Sequence, residues 1–306
     1  MSFKGSDYKI LKNDYLKFLK KKELKGKPLI NKVMKFNQFY LPLSKWIYSI
    51  YAKDFKQKII GLSGGQGAGK STITEILKFI LKKQYDLDIC VFSIDDFYKT
   101  KSERSKMSKK VHTLFYTRGV PGTHDISLLN KTLINLKKKK YKEVLIPQFD
   151  KSTDDRHVKS RWIKVTKPTN IIIFEGWCVG AKHQKLHRLK KSINLLEKEH
   201  DANLKWRKKV NNELKNRYNK IFNKIDKLIY LKAPSFDYIF RWRLLQEKKL
   251  RLKSKNKEIM TFSEIKKFIM FYERITKQMM KDHANISDMT VFLDGKHRSK
   301  RIKIFN

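Results

Sequence analysis

The stretch Lys58-Ile59-Ile60-Gly61-Leu62-Ser63-Gly64-Gly65-Gln66-Gly67-Ala68-Gly69-Lys70-Ser71-Thr72 carries more information than any other part of the chain. Gly64, Gly69, Lys70 and Ser71 fit the G-x-x-x-x-G-K-[ST] pattern of a phosphate-binding loop. The apolar run Ile59 to Leu62 reads as a buried strand, and Thr72 to Leu81 repeats apolar residues at helical spacing. Strand, glycine loop and helix N-terminus together aim backbone N–H groups at one point, and the helix dipole adds positive potential there. A glycine-rich turn could match the pattern by chance, but the correct strand and helix flanks argue against that. The loop Gly64, Gly65, Gln66, Gly67, Ala68, Gly69, Lys70, Ser71 and Thr72 is therefore expected to hold a nucleoside triphosphate. Lys70 would reach the outer phosphates, and the Ser71 hydroxyl would ligate Mg²⁺.

Working outward, apolar runs recur at Ile89–Ile94, Asn170–Phe174, Leu228–Leu231 and Thr290–Leu293, with a short one at Val144–Ile146 ended by Pro147. Their unbroken apolarity suits a parallel sheet buried on both faces. Helical patterns alternate with them: Ile126–Leu136 with Asp125 as N-cap candidate, Lys185–Lys227, Phe236–Leu252 and Phe262–Met280. Thr100–Lys110 is polar and reads as a mobile segment. The expectation is a three-layer α/β fold, a mainly parallel sheet with helices on both faces. Residues 1–56, with Leu11, Tyr15, Phe18 and Leu19 in one stripe, read as a helical N-terminal extension to a domain spanning 57–306.

The formal charge is +43 over 306 residues. Such a charge normally suggests nucleic acid, but the lysines are scattered through every helix rather than gathered in a stripe, so solvated basic faces explain them better. Cys90 and Cys178 lie in apolar, strand-like settings without metal-like spacing, which predicts buried reduced thiols. Residues Met1–Tyr15 lack the apolar core of a signal peptide, and no run is long enough to span a membrane. These features predict a soluble, cytoplasmic protein with no specific nucleic-acid or membrane partner.

Further chemistry is expected at strand ends and loops, where open parallel sheets bind ligands. Asp95 and Asp96 end the second strand in Ser93-Ile94-Asp95-Asp96-Phe97-Tyr98, and one of them could face a γ-phosphate and accept a hydroxyl proton. Alternation sends the two in opposite directions, and Asp95 is the one expected to do so. Glu175 ends the third strand, where an acid beside such a loop holds Mg²⁺. Two dense loops follow, Arg118-Gly119-Val120-Pro121-Gly122-Thr123-His124-Asp125 and Pro147 to Arg156, the latter containing Asp150 and Lys151. Turns collect Gly, Pro and Asp for conformational reasons, yet Arg118 and Arg156 offer planar paired donors that suit an anionic acceptor. Arg241 and Arg243, on the basic helix around 234–255, could close over phosphates as a lid.

The order of GLSGGQGAGKST, SIDDFYKT, RGVPGTHD, PQFDKSTDDR, FEGWCVG, the Trp206–Tyr218 pattern W-x3-VN-x2-L-x3-Y, LKAPSFDYIFRWRLLQE and FYERITKQM resembles the D-glycerate 3-kinase family. That family sits within the phosphoribulokinase/uridine kinase group of P-loop kinases, and the resemblance covers roughly residues 40–300. It implies ATP and Mg²⁺ as cofactors and a small hydroxy acid as substrate, with 3-phosphoglycerate as product. By position it implies Asp95 as the base, with Lys70 as its catalytic companion, and Glu175 as the Mg²⁺-linked acid. Arg118, His124, Asp125, Asp150, Lys151, Arg156 and Tyr98 then become acceptor-site candidates. Homologous kinases phosphorylate different hydroxyls, so a nucleoside, pantothenate or a sugar acid stays open as acceptor. An NTP-dependent nucleic-acid-binding protein is the rival of a different class.

Overall fold

The computed structural model describes residues 5–21, 32–253 and 260–305. Six strands form the central sheet: β1 (Lys58–Gly64), β2 (Ile89–Ser93), β7 (Ile171–Gly176), β8 (Lys227–Lys232), β9 (Met289–Leu293) and β10 (Ser299–Ile304), in the order β10-β9-β8-β1-β7-β2. All neighbours run parallel except β10, which pairs antiparallel with β9. Two small antiparallel pairs stand apart, β3 (Val144–Ile146) with β6 (Ile163–Val165) and β4 (Phe149–Asp150) with β5 (Asp155–Arg156). The short strand before Pro147 is thus real but lies outside the main sheet.

Alternation sorts the sheet residues into two cores. Ile60, Leu62, Ile171, Ile173, Ile229 and Leu231 face one layer, and Ile59, Phe92, Ile172, Phe174 and Tyr230 face the other. The first layer holds α1 (Gly5–Lys21), α2 (Leu41–Tyr51) and α3 (Lys70–Tyr85); α3 contributes Ile73, Ile76, Leu77, Ile80 and Leu81. Leu11, Tyr15 and Leu19 of α1 are buried in that same core, with the Phe18 ring stacked on Phe79 at 4.6 Å. The N-terminal helices therefore extend the hydrophobic layer of the sheet rather than forming a core of their own. Residues 1–4 and 22–31 of the expected extension lie outside the described residues.

The opposite layer holds α5 (Ile126–Leu136) and α6 (Lys205–Glu213), which runs into a π-helical turn at Leu214–Tyr218. Lys101–Lys110 forms α4 with Thr100 as its N-cap, so Thr100–Lys110 is an ordered helix and not a mobile segment. Two features override its polarity. Thr100 and Glu103 form a capping box, and Arg104 is wholly buried, bonding to the carbonyls of Lys99, Tyr116 and Asp154. Finally α7 (Phe236–Lys253) packs into the first layer, and α8 (Phe262–Ile286), opened by a Thr261–Glu264 capping box, brings residues to both. Residues 254–255 of the expected lid region lie outside the described residues. Cys90 and Cys178 are free and buried, as their contexts predict.

Candidate functional site

β1 ends at Gly64, and the loop of residues 65–69 turns into α3 at Lys70. Gly67 adopts φ +75°, and a Cβ there would stand 2.6 Å from Trp242 Cβ. Only glycine satisfies both the left-handed backbone and the close approach. Ile239 lies over Gly65 in the same way, so α7 rests directly on the loop. The Trp242 indole N–H donates to Gly295 O at 3.0 Å, and its ring stacks on His297 at 4.2 Å. The turn after β9 thus fixes the helix that covers the loop.

Lys70 Nζ donates to the carbonyls of Gly64 (2.9 Å) and Gly65 (3.2 Å), folding back over its own loop. Burial pushes its ammonium below the ordinary lysine value, while Glu175 and Asp95 oppose that. Ser71 Oγ donates to Glu175 Oε1 at 3.2 Å across the β1–β7 crevice. Burial raises the Glu175 carboxyl, against the pull of Lys70, and its Oε2 is buried with no partner among the described residues. Gln66 Oε1 is unpartnered in the same sense, and Thr72 is exposed at the start of α3.

β2 stops at Ser93, so Asp95 and Asp96 stand in a 3₁₀ turn, Ile94–Phe97, rather than on the strand. The turn itself separates them. Asp96 closes a capping box by accepting from Ser93 N at 2.9 Å. Burial, with Asp95 and Glu175 nearby, pushes its carboxyl up to about 7. Asp95 accepts from Tyr98 Oη (2.9 Å) and Lys151 Nζ (2.8 Å). Burial would raise the Asp95 carboxyl, but Lys151 and Tyr98 outweigh it and hold it well below the carboxylate range.

The β4–β5 hairpin carries Lys151, and Asp150 organises its turn by accepting from Ser152 N (2.8 Å) and Ser152 Oγ (2.5 Å). Asp154 adopts φ +56° and joins two arginines: its carboxylate accepts from Arg104 Nη2 at 2.9 Å and from Arg118 Nη1. The Arg118 guanidinium lies 5.4 Å from the Phe149 ring centroid. Tyr272 of α8 completes this wall. Its hydroxyl donates to Arg118 O at 3.2 Å, and a Cβ on Gly119 would stand 2.1 Å from it.

The remaining expected acceptor-site residues also bond within the protein. Arg156 gives both Nε (3.2 Å) and Nη2 (2.7 Å) to Tyr98 O and lies 3.6 Å from Asp125. Asp125 caps α5 by accepting from Leu128 N at 3.0 Å. His124 is wholly buried, stacked on Tyr98 at 4.4 Å and bonded through Nδ1 to Tyr218 Oη at 2.6 Å, and burial lowers it to about 3. The neutral ring braces Tyr98, and its Nε2 is buried with no partner among the described residues. Arg241 is exposed over the Tyr238 ring at 5.3 Å, and Arg243 pairs with Glu247. Ile239 and Trp242 are the α7 residues that a Cβ on Gly65 or Gly67 would meet.

Sequence reasoning missed Tyr272, Trp242, Asp154 and Arg104 as parts of the site. Only Arg104 had a readable signal, the T-x-x-E box that places it on a helix. The assembly as a whole places an anion-binding loop, a buried acid–hydroxyl pair and a cation-held carboxylate around one crevice. That combination can bind a polyphosphate and bring a hydroxyl to it.

The phosphoribulokinase / uridine kinase family model matches residues 59–242. Uncharacterized kinase mug58 of Schizosaccharomyces pombe is 36% identical over 222 residues, 70% of this chain and 78% of its own length. The chloroplastic D-glycerate 3-kinase of Arabidopsis thaliana is 28% identical over 76% of this chain, which spans about half (52%) of that protein. In fold, the D-glycerate 3-kinase structure from Cryptococcus neoformans superposes with a TM-score of 0.72 at 24% identity, covering 87% of this chain and 99% of that one.

Proposed function

Since the chain belongs to the phosphoribulokinase / uridine kinase family, we propose that this P-loop kinase transfers the γ-phosphoryl group of ATP to D-glycerate, giving 3-phosphoglycerate. In this reading the loop and Lys70 hold the triphosphate. Ser71 and Glu175 would hold Mg²⁺, a role supported by the unpartnered Glu175 Oε2 beside the Ser71 hydroxyl. Among the described residues there is no three-ligand His/Cys/Asp/Glu cluster, which suits an ion completed by water and phosphate oxygens. When bound, that ion offsets charge on the phosphates.

Asp95 accepts the proton of the attacking hydroxyl as the new O–P bond forms and the bond to the β-phosphate oxygen breaks. The observation that carries the acceptor assignment is the convergence of two cations from separate loops on the Asp95 wall: Lys151 on the carboxylate itself, and Arg118 above Phe149 of the same hairpin. A three-carbon acid offers little apolar surface, so its binding must rest on charge-assisted hydrogen bonds. Lys151 supplies an accessible one, its side chain being 63% exposed. Arg156 and Asp125 act behind the wall, holding Tyr98 and the start of α5.

The test is ADP release with D-glycerate, L-glycerate and uridine, the product position being read by NMR. Turnover of D-glycerate is expected. Turnover of uridine without D-glycerate would reject the acceptor and leave the kinase assignment standing.

A further inference from the structure

Behind α8, two adjoining hollows share Gln184, Arg274 and Gln278; the inner one has room for about one water-sized group, about 20 Å³, and the outer one for about 200 Å³. The inner one is lined by Trp206 and Gln278, whose Nε1 and Oε1 are buried without a partner among the described residues. Trp206 itself is only 3% exposed. A buried indole N–H and a buried amide oxygen on two residues that line one hollow are a complementary donor and acceptor, and each costs free energy until something satisfies it. The charged groups around them are already balanced: Glu197 receives Arg274 Nε and Nη2, both at 2.6 Å, while Arg207 pairs with Asp201 at 2.8 Å. The outer hollow differs. Arg188, Lys277 and Lys281 ring its mouth against one acid, Asp282, with Lys277 also paired to Glu273 at 2.6 Å.

We propose that this cleft is a second ligand site, distinct from the phosphate-binding loop, and that it takes a small organic anion bearing a hydroxyl group. The anionic head lies against Arg188 and Lys281 at the mouth. The hydroxyl reaches inward, where it accepts from Trp206 Nε1–H and donates to Gln278 Oε1. α8 links the cleft to the kinase site, since Phe271 and Ile275 line the hollow while Tyr272 between them bonds to the Arg118 carbonyl. An occupant would therefore act on the acceptor wall through one rigid helix.

The experiment follows the Trp206 indole N–H resonance of the full-length protein in ¹H–¹⁵N spectra, assigned among the five tryptophans by Trp206→Phe. Glycerol 2-phosphate, a phosphate with hydroxyls, and inorganic phosphate are titrated in turn. The expected result is a saturable shift with glycerol 2-phosphate, retained in Lys70→Ala and weakened about tenfold in Arg188→Ala/Lys281→Ala by loss of two charge contacts. Both rim residues are exposed, so that variant should fold, and its spectrum checks this directly. An unmoved resonance would mean that the hollow holds water alone and would overturn the proposal. So would a shift abolished by Lys70→Ala, because the resonance would then be reporting the phosphate-binding loop.

Discussion

Lys151 Nζ lies 2.8 Å from Asp95 Oδ2, so the acid at the tip of β2 is neutralised by a cation before any acceptor arrives. The pairing keeps the carboxylate ionised inside a buried setting that would otherwise favour its protonation. It also leaves the Lys151 side chain largely exposed.

Removing that cation reverses the balance. In Lys151→Met, burial acts unopposed by its largest counterweight, and the Asp95 carboxyl rises from its depressed value. With Asp95 as base, the acid limb of kcat/KM moves to higher pH, because a protonated acid cannot take the hydroxyl proton. A pH–rate profile checks this, and an unmoved acid limb counts against Asp95 as the base.

Asp96 carries the opposite expectation. Its carboxyl is raised to about 7, above the unfolded value near 3.8, so its contribution to stability is fully present below pH 4 and lost as pH rises through 7. Asp96→Asn keeps an oxygen for Ser93 N without the charge. The variant should melt higher than wild type at pH 8, with the difference vanishing below about pH 4. Thermal melts across that range decide it, and activity near wild type would separate Asp96 from Asp95.

Lys70→Ala should abolish phosphotransfer. Among the described residues Lys70 is the cation that the loop itself bonds, through Gly64 O and Gly65 O. Losing such a charge contact in the transition state costs roughly a thousandfold in rate. Near-normal turnover in a coupled ADP assay would sink the assignment of the loop.

Gly67→Ala tests the seat of α7. The substitution strains a left-handed backbone by about 1–3 kcal/mol and drives a methyl into Trp242. Nucleotide affinity should fall along with the melting temperature. Trp242→Ala keeps the Cβ that the new methyl meets, so Gly67→Ala/Trp242→Ala should show no recovery of nucleotide affinity in calorimetric titration.

Arg104→Met removes the buried end of the Arg104–Asp154–Arg118 chain. Asp154 is part-exposed and keeps Arg118, but the carbonyls of Lys99, Tyr116 and Asp154 lose their buried donor, at about 1–3 kcal/mol each where water cannot replace it. The melting temperature should drop, and the KM for the acceptor should rise more than that for the nucleotide, since Arg118 loses its brace. Equal rises in both KM values would show that the chain does not serve the acceptor wall in particular.

Local chemistry in the chain was enough to read the layers of the fold and the position of the loop. Unbroken apolar runs specify strands buried on both faces, and Gly64 to Ser71 specify a backbone that can wrap a phosphate, because both are properties of adjacent residues. The same holds for Asp125, whose place before an apolar-periodic run made it a cap. What side chains meet across the fold was not legible in this way. Arg156 and Arg118 look alike in sequence, yet one is spent on a backbone carbonyl and the other on Asp154, since hydrogen-bond partners are chosen by distance in space. Asp95 and Asp96 are adjacent, and only the 3₁₀ turn gave one a backbone amide and the other Lys151. His124 became a buried brace because Tyr98 and Tyr218 close around it. Tyr272 and Trp242 reach the site from helices late in the chain, and packing alone brings them there.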